Sequence, residues 1–326
     1  MIEVFDFNTR QWNAVEKIDT DNLSSEESRK FSYRATVQRL PGRARLVENN
    51  DVIEYTLSNG VSKKLADYPE EASGTLISSI FIITSRTTDL TDMLFFIGAT
   101  VLEYGDTVCL VGGYDSNNRV VRKSVHCWNP LAMTSSPASS SSSRRSSGWV
   151  ALPEMTVGRF RPGAVVMDGK MYVAGGKDPV SHKDLDSMEV FDDVTQKWYL
   201  MTSRLSAGRT AFQLLAVHGK LYAIGGWSDY KFLNTVEEYD PIPDRWRARA
   251  SMAAGPRAKF GSVVTRDGTV YVVGGIRGLD LGHNTNWVEV YTPGNDTWSQ
   301  SELPPLSVIS GPVRATLVEE DGLTTR

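Results

Sequence analysis

Arginine and lysine beside aromatic residues are the side chains most able to do chemistry in this sequence. Arg159, Phe160 and Arg161 stand together; Arg209 and Phe212 recur about fifty residues later, and Arg257, Lys259 and Phe260 recur again. Arg34 and Arg314 hold similar places nearer the two ends. A guanidinium grips carboxylate or phosphate through two parallel hydrogen bonds, and arginine beside aromatic residues is the composition of binding hot spots. A second set follows di-glycine steps: Tyr114, Asp115, Lys177, Asp178, Trp227, Ser228, Tyr230, Arg277 and His283. Residues of these types suit binding rather than a catalytic constellation. The four histidines, His126, His182, His218 and His283, are scattered, whereas a metal site needs clustered ligands. No Gly-x-Ser-x-Gly turn, phosphate loop or paired-carboxylate catalytic motif is present. Arg144-Arg145-Ser146-Ser147 has the form of a basic-directed kinase site, making Ser146 and Ser147 candidates for phosphorylation.

Composition narrows the partners. A net charge of −4 over 326 residues argues against nucleic-acid binding, which calls for a strongly basic face. The longest apolar run, residues 93–102, is too short for a membrane helix, so no membrane partner is expected. Acidic Glu3 and Asp6 sit where a secretory signal would be basic. Cys109 and Cys127, the only cysteines, imply no disulfide framework; Cys109 reads as core, and two thiols suit a reducing, cytoplasmic setting.

These residues are positioned by a repeat. Four apolar runs end in a di-glycine, at Gly112-Gly113, Gly175-Gly176, Gly225-Gly226 and Gly274-Gly275, and the second glycines lie 63, 50 and 49 residues apart. A tryptophan follows each, at Trp149, Trp198, Trp246 and Trp298. In the last three units it comes eight residues after Val190, Glu238 or Val290 of an apolar strand. The long first spacing has a local cause, because nine of the thirteen residues 135–147 are serine. Such a stretch has too little apolar surface to offset the entropy of ordering, and predicts a disordered loop insertion over 134–148. Each unit reads as four short strands, with turn dipeptides Asp168-Gly169, His218-Gly219 and Asp267-Gly268 between the first two.

A period near fifty with four strands per unit, the Gly-Gly, the Glu-Val-Tyr-Asp-Pro-like strand and the tryptophan resemble the kelch repeat over residues 98–300. The resemblance implies an all-β, six-bladed kelch β-propeller with four antiparallel strands per blade. Blades are expected at 98–152, 160–202, 208–250 and 257–301, with a degenerate blade at 31–70 and an inter-blade insertion at 72–97. Val4 precedes Trp12 by the same eight residues. Residues 1–14 therefore read as third and fourth strands of a closing blade, whose inner strand would be 311–322. Such closure removes exposed sheet edges.

Strands within a blade alternate in direction, so the loops joining second to third strands open on the same face as the entries into first strands. That face is the expected protein-binding mouth, with Arg34, Tyr114, Arg159, Arg161, Lys177, Arg209, Trp227, Tyr230, Lys259, Arg277 and Arg314 as its contacts and Trp227 as its exposed anchor. It suits an extended, acidic or phosphorylated peptide; the Ser-rich loop would leave from the opposite face. The resemblance is closest to the propellers of BTB–kelch adaptors, which bring substrates to cullin-RING ubiquitin ligases, and implies a non-catalytic module without cofactor. Met1 lies two residues before a repeat strand, which leaves no room for a BTB, BACK or F-box segment in these residues. The sequence thus reads as a fragment or as a propeller acting alone. An actin-binding kelch scaffold and a sugar-isomerising propeller enzyme are the competing readings.

Overall fold

The computed structural model describes residues 2–6, 11–16, 36–40, 43–48, 51–56 and 62–67, and then 96–300 without 106, 116–118, 129–148, 179 and 279–284. Five four-stranded antiparallel sheets follow one another along the chain. Sheet I comprises Thr36–Leu40, Arg43–Glu48, Asp51–Thr56 and Ser62–Asp67, and sheet II comprises Thr100–Tyr104, Thr107–Val111, Val125–Trp128 and Trp149–Leu152. Sheet III takes Gly163–Met167, Lys170–Ala174, Met188–Asp192 and Lys197–Leu200. Sheet IV takes Gln213–Val217, Lys220–Ser228, Lys231–Asp240 and Arg245–Arg249, and sheet V takes Gly261–Val264, Val270–Val273, Val288–Thr292 and Thr297–Gln300. A separate hairpin pairs Ile2–Asp6 with Gln11–Glu16. There is no helix among the described residues, and so none long and apolar enough to cross a membrane.

The local chemistry accounts for the hairpins. Asp168 and Gly169, and likewise His218 and Gly219, have positive φ at the two turn positions, the geometry that matches strand twist. In sheets III to V the second strands are largely apolar and buried, as in Met171, Tyr172, Val173 and Ala174, because neighbouring sheets cover both of their faces. First strands of consecutive sheets run beside one another, so the sheets radiate from a shared inner rim. Between sheets III and IV, Tyr172 and Val190 share a core with Leu221, Ala223, Tyr239 and Trp246. Cys109 and Val111 meet Met171, Phe191 and Trp198 between sheets II and III. The third-strand aromatic stands directly opposite the tryptophan in each of the last three sheets, at ring distances of 5.2, 5.1 and 4.9 Å. Trp198 Nε1 donates to the Pro153 carbonyl and Trp298 Nε1 to that of Ala250, both at 2.8 Å, stitching the outer strand to the segment that enters its repeat.

Three arginines join one repeat to the next. Arg159 is completely buried and donates to Glu189 and to the carbonyls of Gly175 and Ser187, all within its own repeat. Its own carbonyl accepts from Gly113 N–H of the preceding repeat at 2.8 Å. Arg209 pairs with Glu237 and Arg257 with Glu289 in the same way, their carbonyls accepting from Gly176 and Gly226. The di-glycines make this contact possible. A Cβ on Gly175 would meet the Arg209 carbonyl oxygen at 2.5 Å, and φ there is +62°. Glu189 also accepts from the backbone N–H groups of Thr156 and Val157, so one carboxylate holds both linker and arginine.

The two cysteines depart from expectation. Cys109 and Cys127 are directly opposed on neighbouring strands and joined by a disulfide buried between sheets II and III. The reading as two separate core thiols is corrected, and cysteine usage no longer argues for a reducing compartment. They occupy the positions that Tyr172 and Val190 hold in the next sheet, which only the strand register reveals. The Ser-rich stretch 134–148 and the segment 311–322 lie outside the described residues, as does 72–97 except for Phe96–Ile97, which pairs with Tyr114–Asp115.

Trp198→Ala is expected to cost about 3–5 kcal/mol as a buried aromatic truncation, measured by denaturant unfolding; a loss under about 1 kcal/mol contradicts its packing role. Arg209→Met alone strands the Glu237 carboxylate and is expected to cost about 3–5 kcal/mol. Adding Glu237→Leu should recover most of that loss, and a double variant no more stable than the single one rules the pairing out as the cause.

Candidate interaction face

Residues just before three successive first strands share an unusual backbone. Arg161, Ala211 and Lys259 have φ of 52°, 53° and 53°. None is glycine, and each such residue costs free energy unless its surroundings enforce it. The enforcement is a chain of hydrogen bonds around the inner rim. Arg161 N–H donates to the Gly98 carbonyl at 2.6 Å, Ala211 N–H to that of Arg161 at 3.1 Å, and Lys259 N–H to that of Ala211 at 3.0 Å. Arg161 and Lys259 therefore stand two repeats apart along one hydrogen-bonded arc. The Arg161 guanidinium lies 4.8 Å from the Phe160 ring centroid. Burial, reinforced by the Arg161 charge, pushes the Lys259 ammonium down to about 7. Losing solvation disfavours the charged form and a second cation nearby adds to the cost, so an arriving anion relieves both.

Outside this arc stand the loops between second and third strands. Each is tied to its own repeat's entry segment by a short bridge, Phe160 with Lys177, Thr210 with Trp227 and Ala258 with Ile276. Tyr114 meets the edge of Phe160 at 6.3 Å. Lys177 sits 3.8 Å from the Asp184 carboxylate and 5.4 Å from the Tyr230 ring centroid. Arg277 lies 5.1 Å from the Trp287 ring centroid. Tyr230, at the hairpin tip with φ of 62°, is 73% exposed.

The structure thus brings Tyr114, Arg161, Lys177, Trp227, Tyr230, Lys259 and Arg277 to one face. Arg159 and Arg209 do not belong to it. Expected as partner contacts, they are 0% exposed and engaged by Glu189 and Glu237, so they are structural; Arg257 follows them. Phe212 and Phe260 are core residues as well. Trp227 lies within a strand, half-buried edge-to-face against Phe232 at 4.7 Å, and Tyr230 is the exposed aromatic of that hairpin. Arg34, Arg314, Ser146 and Ser147 lie outside the described residues.

Sequence reasoning passed over Trp287, 46% exposed, and the loop valines Val120 and Val180. Their signal is an apolar residue inside an otherwise polar post-glycine loop. Among the described residues no group of three or more His, Cys, Asp or Glu could hold a metal ion. The face presents cations and ring edges on a hydrogen-bonded frame, an arrangement able to hold carboxylates beside apolar side chains.

Known proteins resemble this chain in sequence. Human Kelch-like protein 33 is 35% identical over 132 residues, covering 40% of this chain and 24% of that protein. Mouse Kelch-like protein 35 is 29% identical over 205 residues, covering 63% and 32%. A putative F-box/kelch-repeat protein of Arabidopsis thaliana is 34% identical over 112 residues, covering 34% and 36%. The match thus spans about a third or less of each relative's own length. The solved structure of YjhT superposes with a TM-score of 0.51 at 18% identity over 66% of this chain and 67% of that one, a likeness of fold alone. Residues 98–314 match the model of the KLHDC2/KLHL20/DRC7 Kelch-repeats domain, more than half of the chain, and with its buried arginine–glutamate pairs, di-glycine steps and opposed aromatic–tryptophan strands this chain belongs to the kelch-repeat family.

Proposed function

We propose that this chain is a non-catalytic protein-recognition module whose ringed face binds an acidic segment of a partner. The observation that carries the reading is the pair Arg161 and Lys259, held on one hydrogen-bonded rim with strained backbone, where burial and then the Arg161 charge lower the proton affinity of Lys259. Backbone strain and neighbouring like charges cluster at ligand sites, which supports this reading. Tyr114, Lys177, Trp227, Tyr230 and Arg277 extend the contact outward. The relatives carry the names Kelch-like and F-box/kelch-repeat, which favours substrate recognition for a cullin-RING ubiquitin ligase, with the ligase-binding part outside the matched region.

The reading includes a closed six-bladed propeller. Sheets I to V supply five blades, and the hairpin Ile2–Asp6 with Gln11–Glu16 supplies outer strands of the sixth. Its register supports this, since Phe5 stands opposite Trp12 as Phe191 stands opposite Trp198, Tyr239 opposite Trp246 and Tyr291 opposite Trp298. Residues 311–322 would add the inner strand.

Affinity purification from cells tests the recognition role. Arg161→Ala with Lys259→Ala should remove the partner bound by the wild-type chain while the thermal midpoint stays within about 2 °C. Retention of the partner, or its loss together with stability, overturns the assignment. Cullin in the wild-type eluate favours the ligase reading; actin in its place overturns it. Closure has its own test. Deleting residues 1–16 and deleting 302–326 should destabilise by similar amounts, and the double deletion should cost no more than either, because both break one blade. Additive losses overturn closure.

A further inference from the structure

A second feature of the same face lies between sheets II and III. The entry segment of sheet III runs there between two post-glycine loops, leaving an open groove of about 440 Å³ lined by Arg119, Val120, Val121, Val157, Val180 and Leu185. Its walls are preformed. Val120–Val121 pairs with Tyr114–Asp115, which pairs in turn with Phe96–Ile97, so the valines stand on a three-stranded ribbon. Across the groove, Asp178 accepts from Val180 N–H at 3.0 Å and from the Ser181 hydroxyl at 2.6 Å, fixing the turn that lifts Val180. Gly158 forms part of the lining, and a Cβ there would meet the Val121 carbonyl oxygen at 2.6 Å, so any other residue would force the linker and the ribbon apart.

What this groove lacks is apolar cover. Val120 is 50% exposed and Val180 63%, yet both are held in fixed positions on opposite walls. An exposed apolar cleft with rigid walls on a folded surface marks a contact site. Charge narrows the occupant. Asp178 is the single acid in the lining and is committed to its own turn. Arg119 is exposed, and no hydrogen bond or ion pair engages its guanidinium among the described residues. Lys123 and Lys183, exposed on the same two loops, are equally unengaged there. Apolar walls with an uncompensated cationic rim suit an apolar side chain beside a carboxylate.

We infer that this groove takes one apolar side chain of an extended partner peptide, whose neighbouring carboxylate pairs with Arg119. The inference rests on the reading that this face binds protein, and adds to it a second contact point with its own chemistry. It is tested on the full chain by fluorescence polarisation, using a labelled nine-residue probe with one leucine between two glutamates in a glycine–serine background. Arg119→Glu and Val180→Ser should each weaken binding about fivefold or more, with unchanged thermal midpoints because both residues are exposed. Replacing the probe's leucine by alanine should weaken binding to the wild type as strongly. A probe with lysines in place of glutamates should prefer Arg119→Glu over wild type.

Several results overturn the groove. One is no measurable binding to the wild type. Another is binding indifferent to the leucine and matched by vesicles of anionic lipid, which is plain charge attraction. A third is probe binding lost in Arg161→Ala/Lys259→Ala but kept in both groove variants, which rejects the groove and leaves the ringed mouth standing. Conversely, probe loss in the groove variants, with the purified partner retained by the Arg161/Lys259 variant, upholds the groove and rejects the mouth.

Discussion

The fold depends on an arginine whose two ends serve different repeats. The guanidinium of Arg159 is spent inside its own repeat, on Glu189, Gly175 and Ser187, while its backbone carbonyl is held by Gly113 of the repeat before. A buried guanidinium is tolerable only when its donors are satisfied and its charge is matched. Burial draws its proton affinity down and Glu189 draws it back up, leaving it a cation fixed by its partners. The di-glycine completes the device, because only a residue without Cβ admits the next repeat's carbonyl so closely. Arg209 and Arg257 repeat the arrangement with Glu237 and Glu289.

Sheet II breaks the pattern in an informative way. Its register places His126 where the next sheets have Glu189 and Glu237, and puts a disulfide where they have Tyr172 with Val190 and Tyr222 with Glu238. The spacing between sheets is maintained all the same, since Cys109 and Cys127 share a core with Met171, Phe191 and Trp198. Covalent linkage here does the work that a large side chain does elsewhere. The groove proposed as a second contact lies at the open face of this same junction.

Rigidity inside and variety outside are linked. Because the buried arginines, glycines and tryptophans of sheets III to V are used in joining sheets, the loops after the di-glycines are free to differ. One carries Tyr230 on a long hairpin, another stacks Arg277 beside Trp287, and a third fixes Val180 with an Asp178 turn. Each loop starts from a backbone bridge to its entry segment, so the displayed side chains hold their places without a partner. That is the preorganisation recognition needs, because ordering costs are met during folding rather than at binding.

Reading along the chain was enough to find what repeats. The di-glycine spacing, the tryptophan eight residues after an apolar strand and the turn dipeptides are local signals, produced by backbone geometry that only certain residues tolerate, and they give the four-stranded units and the face on which loops gather. Burial is a different matter. Arg159 and Arg161 are two residues apart with the same side chain, yet one is sealed in the core and the other stands on the rim. Their difference arises from Glu189, thirty residues away, and from neighbouring sheets that no local pattern describes. The same holds for Cys109 and Cys127, opposed only through strand register, and for Trp227, half-covered by Phe232 across its hairpin. Local residue preferences set the elements and their order, whereas long-range packing set which charges were consumed by the fold and which were left to meet a partner.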